Sequence, residues 1–345
     1  MAPQADVVLV SREGQDRRST DRSGSGIEQP VWSWNKMYPE DSLRFLVLAD
    51  WGGLPYPPYN TPIEVSVSKV MANIATSFKS EFILALGDNF YYTGVKDEHD
   101  SRFKETFENV YTAESLNIPW YLVGGNHDHY GNISGQVAYT NISPRWNFPS
   151  LFYTLTFNIP NSNSSILTLM IDTVTLCGNT DMFTVGAAPE GPEDYLAAEE
   201  QWAWIEQKLQ SSEKFEYVIV AGHFPVWSVA EHGPTECLVT RLRPLLNKYR
   251  VNAYFSGHDH NLQYLKEDNS TVKYFVIGSG NFVDPSVAHM DNVPTNSLKF
   301  HYSEPVGGFA YITATSKNLT LTFADGYQGK DIYQNVILPR SQLFP

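Results

Sequence analysis

Apolar positions along this 345-residue chain fall in short runs. Leu43–Ala49, Phe82–Leu86, Pro119–Val123, Tyr217–Ala221 and Val251–Phe255 are nearly all apolar and end in turn residues. That pattern predicts strands buried on both faces. Ser150–Phe157, Ile166–Ile171, Lys273–Ile277, Phe309–Thr315 and Leu319–Ala324 alternate more, predicting antiparallel strands that close the structure. A helix start is read at Asn60-Thr61-Pro62 with Glu64 behind it, and further helices at about Glu193 to Leu209 and Thr235 to Tyr249. Together these predict a layered α/β fold with large mixed sheets. No Pro/Ser-rich linker cuts it, so residues 41–345 read as a single domain.

The residues after the buried strands carry chemistry. In order they are Asp50-Trp51-Gly52, Gly87-Asp88-Asn89-Phe90-Tyr91, Gly125-Asn126-His127-Asp128, Gly222-His223 and Gly257-His258-Asp259-His260. Ligands collect outside the carboxyl ends of strands in open α/β sheets. A lone Asp at a strand end is usually a cap, and a lone buried His is usually a satisfied core residue. Five such ends in succession, supplying carboxylate, phenol, amide and imidazole, instead predict a metal site. Asp50, Asp88, Tyr91, Asn126, His223, His258 and His260 suit two metals, with the Asp88 carboxylate as the bridge.

This ordered set resembles the purple acid phosphatases, binuclear metallohydrolases of the calcineurin-like metallophosphoesterase fold. That fold is two mixed β-sheets packed together and flanked by helices. The likeness runs from about Arg44 to Pro339. Trp51-Gly52-Gly53, Gly124 to Tyr130, Pro225 to Leu238 and Gly278 to Pro285 resemble its small, mammalian-type, tartrate-resistant (type 5) branch. The resemblance implies Fe(III) held by Asp50, Asp88, Tyr91 and His260, and Fe(II), or Zn or Mn in its place, held by Asp88, Asn126, His223 and His258. A phenolate such as Tyr91 favours Fe(III), which implies a purple or pink protein. It also implies hydrolysis of phosphate monoesters, on small molecules or phosphoproteins, by attack of a metal-bound hydroxide. His232, in preference to His127, would protonate the leaving group. His99, His129, His289 and His301 fall outside the ligand motifs and are read as surface or supporting residues.

Charge and cysteine content narrow the rest. Lys+Arg 24 against Asp+Glu 38 gives a net charge of -14 and no basic footprint, which argues against nucleic acid as a partner. Apolar runs such as Phe45 to Ala49 are far shorter than the ~18 residues a spanning helix needs. Glycosylation sequons at Asn132, Asn163, Asn269 and Asn318, with a weaker one at Asn141 ahead of Pro144, point to the secretory route and to a secreted or lysosomal protein. The N-terminus does not read as a leader, because Asp6 interrupts its apolar stretch. Residues 1–40 are therefore either a disordered extension or a start that replaces a signal peptide. Cys177 and Cys237 could form one bridge, and they match the family's single disulfide. The family also implies an overhanging loop at residues 179–195 whose cutting by a protease raises activity. Gly178 to Gln207 holds no Lys or Arg, so a non-tryptic protease is expected. The active unit is expected to be a monomer. Alternatives are a phosphodiesterase on the same fold, a secreted iron-binding glycoprotein, or a radical-generating redox iron protein.

Overall fold

The computed structural model describes residues 6–9, 38–184 and 186–343. Strands, numbered along the chain, form two sheets. The seven-stranded sheet holds β2 (Leu43–Leu48), β3 (Phe82–Leu86), β4 (Trp120–Val123), β5 (Trp146–Asn147), β13 (Gly308–Ala314), β14 (Leu319–Asp325) and β15 (Asp331–Ile337). Its order is β15-β14-β13-β2-β3-β4-β5, with β2 to β5 parallel and the rest antiparallel. The eight-stranded sheet holds β1 (Asp6–Leu9), β6 (Tyr153–Asn158), β7 (Ser165–Met170), β8 (Tyr217–Ala221), β9 (Ala253–Ser256), β10 (Leu262–Leu265), β11 (Lys273–Ile277) and β12 (Leu298–Tyr302). Its order is β1-β6-β7-β8-β9-β11-β10-β12, and β7, β8 and β9 run parallel.

Burial on both faces explains the unbroken apolar runs. In β8, Tyr217, Ile219 and Ala221 enter the core between the sheets, whereas Val218 and Val220 face a second core built on Trp202, Trp204 and Ile205. Successive side chains of a strand point to opposite faces, so both must be apolar when both are covered. Strands missing from the sequence reading are those without such a run. β12 and β15 are sheet edges, largely half-exposed and mixed in polarity, and β5 has two residues. β10 is buried but short. Within the N-terminal extension, Asp6–Leu9 pairs in parallel with β6, so those four residues are a strand rather than disordered chain. Val7-Val8-Leu9 suits that pairing by β-propensity. Residues 1–5 and 10–37 of the extension lie outside the described residues.

The expected helices form. Helix α1 (Pro62–Phe78) starts where read, with Thr61 accepting from the Glu64 backbone N–H and Pro62 at its first turn. The short α2 (Asn126–His129) and α3 (Thr173–Cys177) follow β4 and β7, and α4 (Tyr195–Gln210) is capped by Asp194. The segment expected as one helix over Thr235 to Tyr249 contains a widened π-turn at Leu238–Leu242 before Arg243–Lys248. Pro244 lacks the N–H that a regular turn would use there.

A disulfide joins Cys177 to Cys237, with Cα atoms 5.7 Å apart. It ties the end of α3 to the π-turn segment across 60 residues of chain. The double variant Cys177→Ser, Cys237→Ser is expected to lose about 4 kcal/mol of stability on chain-entropy grounds, measured as a fall in the urea midpoint.

Candidate metal centre

The parallel strands of both sheets direct their carboxyl ends to one place. β2 leads to Asp50, β3 to Asp88 and Tyr91, β4 to Asn126, β8 to His223, and β9 to His258 and His260. Asp50 and His223 are fully buried, Asp88 is 1 % exposed, and Asn126 and His258 are each 4 % exposed. Backbone bonds knit the ends together. The Asp50 N–H donates to Gly87 O at 3.0 Å, Gly222 N–H to Phe255 O at 3.1 Å, and Gly257 N–H to His223 O at 2.9 Å.

The donors fall into two neighbouring groups. In one, the Tyr91 hydroxyl lies 3.0 Å from Asp50 Oδ1 and 3.0 Å from His260 Nε2, and His260 Nε2 is 3.6 Å from Asp50 Oδ1. In the other, His223 Nε2 lies 3.4 Å from Asp88 Oδ2 and 3.0 Å from Asn126 Oδ1. Ligating atoms of Asp88, His223 and His258 lie within 4.8 Å of one another. Asp88 also faces the Tyr91 phenol, so it stands between the groups. All seven donors predicted from the sequence are thus brought together.

Supporting bonds aim these donors. His223 Nδ1 meets Leu86 O at 2.9 Å, which leaves Nε2 for the centre. Asp50 Oδ2 accepts the His258 N–H at 2.8 Å, and Asp88 Oδ1 accepts the His127 N–H at 3.0 Å. Asp50, Asp88 and His258 hold left-handed backbone, with φ of 55°, 51° and 72°. Two glycines make room: a Cβ at Gly125 would run into the Asp88 carboxylate, and one at Gly257 into that of Asp50.

Crowding these donors together out of water shifts their protonation in opposite directions. Burial, with the Asp88 charge beside it, drives the Asp50 carboxyl well above its usual range. Burial also pushes on Asp88, but the imidazoles of His223 and His127 outweigh it and hold Asp88 low. Burial and both carboxylates raise the Tyr91 phenol far up. His223 resists burial because Asp88 and Asp50 lift it to about 9, whereas burial takes His260 down to about 4. Two sealed carboxylates, a phenol, an amide oxygen and three imidazoles fit a pair of metal ions by donor chemistry.

His232 and His127 flank the donors. The His232 ring lies 3.9 Å from that of His258, the His232 backbone N–H donates to Asp259 Oδ1 at 2.9 Å, and the buried ring Nδ1 has no protein partner. His127 packs 4.6 Å from the Tyr91 ring and turns Nδ1 to Tyr92 O at 2.7 Å. Of the other histidines, His99 is exposed beside Glu98, and His289 meets Ala230 O at 2.6 Å behind the His232 loop. His301 has a buried Nε2 without a protein partner. His129 is mostly buried, and its Nε2 lies 2.7 Å from Asp172 Oδ2.

Sequence reasoning missed two residues that hold the loops. Asp128 accepts the N–H groups of Asn89, Phe90 and Gly125 and the amide of Gln136, fixing the Asp88 turn against the Asn126 turn. Arg102, 7 % exposed, donates to Tyr91 O and Gly52 O, both at 2.8 Å, and to Thr106 Oγ1 at 3.1 Å. It staples the loop after β2 to the loop after β3. Nothing in the local pattern around Arg102 signals this, because its partners are backbone carbonyls distant in sequence.

Residues 179–184 and 186–195 lie against this side. Asn179 Nδ2 donates to Asn126 O at 3.3 Å, the Tyr130 hydroxyl donates to Thr180 O at 2.5 Å, and Gly186 approaches Glu231, the neighbour of His232. Beneath them lies a cavity of about 850 Å³ lined by His129, Val174, Asn179, Glu190, Glu193 and Asp194. Met182 and Phe183 project into solvent, Phe183 by 89 %.

Known proteins place this geometry. The family model for calcineurin-like phosphoesterases matches residues 43–262. Tartrate-resistant acid phosphatase type 5 from Homo sapiens is 51 % identical over 302 residues, covering 87 % of this chain and 91 % of its own. Purple acid phosphatase 4 of Arabidopsis thaliana is 30 % identical, covering 83 % and 81 %. Among solved structures, the Plasmodium inner-membrane-complex anchor GAP50 shares the fold with a TM-score of 0.74 at 23 % identity, covering 87 % of this chain and 90 % of its own.

Arg102→Leu would leave the buried Tyr91 carbonyl unpartnered and would take from Gly52 O one of its two donors, the other being the Tyr91 N–H. It is expected to lose roughly 2–3 kcal/mol in urea unfolding, with Arg102→Lys recovering part of the loss.

Proposed function

We propose a division of labour within the centre of a chain that belongs to the calcineurin-like phosphoesterases and, among them, to the purple acid phosphatases. The protein is an acid phosphatase acting on phosphate monoesters. The observation that supports our assignment of roles is the sorting of seven donors into two groups that meet at Asp88.

Asp50, Tyr91 and His260 would hold one iron, kept ferric by the phenolate, and Asn126, His223 and His258 the second metal, with Asp88 shared. Iron, or zinc or manganese at the second position, would supply Lewis acidity toward phosphate oxygens and a water of lowered pKa. The chain's own residues do the rest. Asp128 and Arg102 fix the loops, so the donors are preorganised rather than gathered on binding. His127, its Nδ1 engaged by Tyr92 O, keeps Nε2 for a phosphate oxygen. His232, anchored through its backbone to Asp259 and packed on His258, delivers a proton to the departing alkoxide. A purely iron-carrying role leaves the placement of both histidines unexplained.

All seven donors come from one chain, so we take the monomer as the active unit. The disulfide and the exposed sequons support a secreted or lysosomal setting. Asn163 and Asn269 lie exposed on turns and suit glycosylation, whereas Asn318 is half-buried. Asn132 is already engaged, donating to Lys96 O at 3.0 Å and capping the Gly135 N–H at 3.1 Å. Among the described residues no helix is long and apolar enough to cross a membrane. The exposed Phe183 on the overhanging loop suits an activating protease that cleaves beside apolar residues.

His232→Ala is expected to slow hydrolysis of alkyl phosphates by 10²-fold or more, on the order of a lost general acid, and to slow 4-nitrophenyl phosphate less. Equal effects on the two substrates would remove His232 from the proton-donor role. Iron-loaded protein is expected to show a visible band that Tyr91→Phe abolishes. Persistence of that band in Tyr91→Phe would move the phenolate elsewhere.

A further inference from the structure

Beside the donors, on the His127 side, an aromatic surface runs outward to solvent. Tyr91 packs edge-on to Phe282 at 4.9 Å, and Phe282 also lies 5.6 Å from the His260 ring. Phe282 in turn stacks with Tyr92, the rings 15° from parallel with centroids 6.2 Å apart. The Tyr92 ring is also 5.7 Å from His127, and its carbonyl meets His127 Nδ1 at 2.7 Å. Yet Tyr92 is 42 % exposed, and its electrostatic neighbour Tyr56 is 57 % exposed. A large ring held in one orientation but left open to water, one residue from a buried metal donor, does not serve the core.

Resting on the phosphatase reading above, we propose that Tyr92 and Phe282 form a leaving-group subsite for phosphate esters whose phosphate is one or two bonds from a planar aromatic ring. Two features suit it to that occupant. The surface begins at the donors that would hold the phosphate, so a ring close to the phosphorus reaches it and a long aliphatic tail does not. It is also preorganised, because the Phe282 stack and the His127 contact at the Tyr92 carbonyl hold its parts, so little ordering cost opposes binding. The rings that Tyr92 and Phe282 contact are those of Tyr91, His127 and His260, a largely aromatic setting that favours a neutral ring over a further phosphate. Aromatic pairs in stacked or edge geometry gain about 0.5–1.5 kcal/mol beyond area burial.

The test compares benzylphosphonate with cyclohexylmethylphosphonate, which share phosphonate and linker and differ in the ring, a planar π-system in one and a bulkier saturated chair in the other. Binding to the metal-loaded full chain is measured by calorimetry, so no turnover is needed. The benzyl compound is expected to bind roughly 2- to 13-fold more tightly, the span of that stacking gain. Tyr92→Ala is expected to bring the ratio close to unity and Tyr92→Phe to keep it. A ratio near one in the unaltered chain, or a preference that survives Tyr92→Ala, overturns the subsite. Hydrolysis of benzyl phosphate is followed in parallel. Turnover without ring preference sinks the subsite alone, ring preference without turnover sinks the phosphatase reading alone, and failure of both phosphonates to bind overturns both.

Discussion

The structure is organised around an electrostatic debt: Asp50 and Asp88 are sealed from water, and the groups facing them are imidazoles, a phenol and backbone amides. Burying a carboxylate without a cation is among the most unfavourable things a fold can do. Arg102, the nearby guanidinium, is turned instead to carbonyl oxygens at Tyr91 and Gly52. The charge the polypeptide itself sets against these carboxylates is that of imidazole, above all His223, which both of them lift to about 9. Metal ions bound among these donors would therefore be expected to add to the stability of the fold.

Around that debt the two sheets act as a vice. Each contributes parallel strands whose carboxyl ends meet, so no single sheet owns the centre. The inter-sheet core, with Ile219 and Phe255 from one sheet and Leu84 and Leu86 from the other, sets the spacing between donors. The disulfide and the overhanging segment add a second layer of coupling. Asn179 touches the Asn126 backbone while Gly186 reaches Glu231, so one loop bears on both histidine-bearing edges of the opening.

Much of this was legible in the sequence, for a physical reason. Strands covered on both faces must be apolar throughout, and the donors follow directly after them, so β2, β3, β4 and β8 and the seven donors stand out without coordinates. Legibility failed where the determining contact is distant. β12 and β15 are edges whose half-exposed faces carry no clean alternation. Asp128 looks like an ordinary turn residue until four donors are seen converging on it. His129 reads as loop until Asp172, from a different strand end, arrives beside it. Pro244 lies inside the segment read as one helix, and it marks where the π-turn gives way to Arg243–Lys248.

The left-handed backbone at Asp50, Asp88 and His258 has an evolutionary consequence. Such a conformation costs on the order of 1–3 kcal/mol at each non-glycine residue, and the carboxylates add their own desolvation. Glycine or asparagine at these positions would relax the chain. Selection for stability alone therefore pushes against the centre, and only continued selection for catalysis keeps it. A lineage released from that demand would lose its donors first and its fold last, becoming a sturdier protein with the same outline.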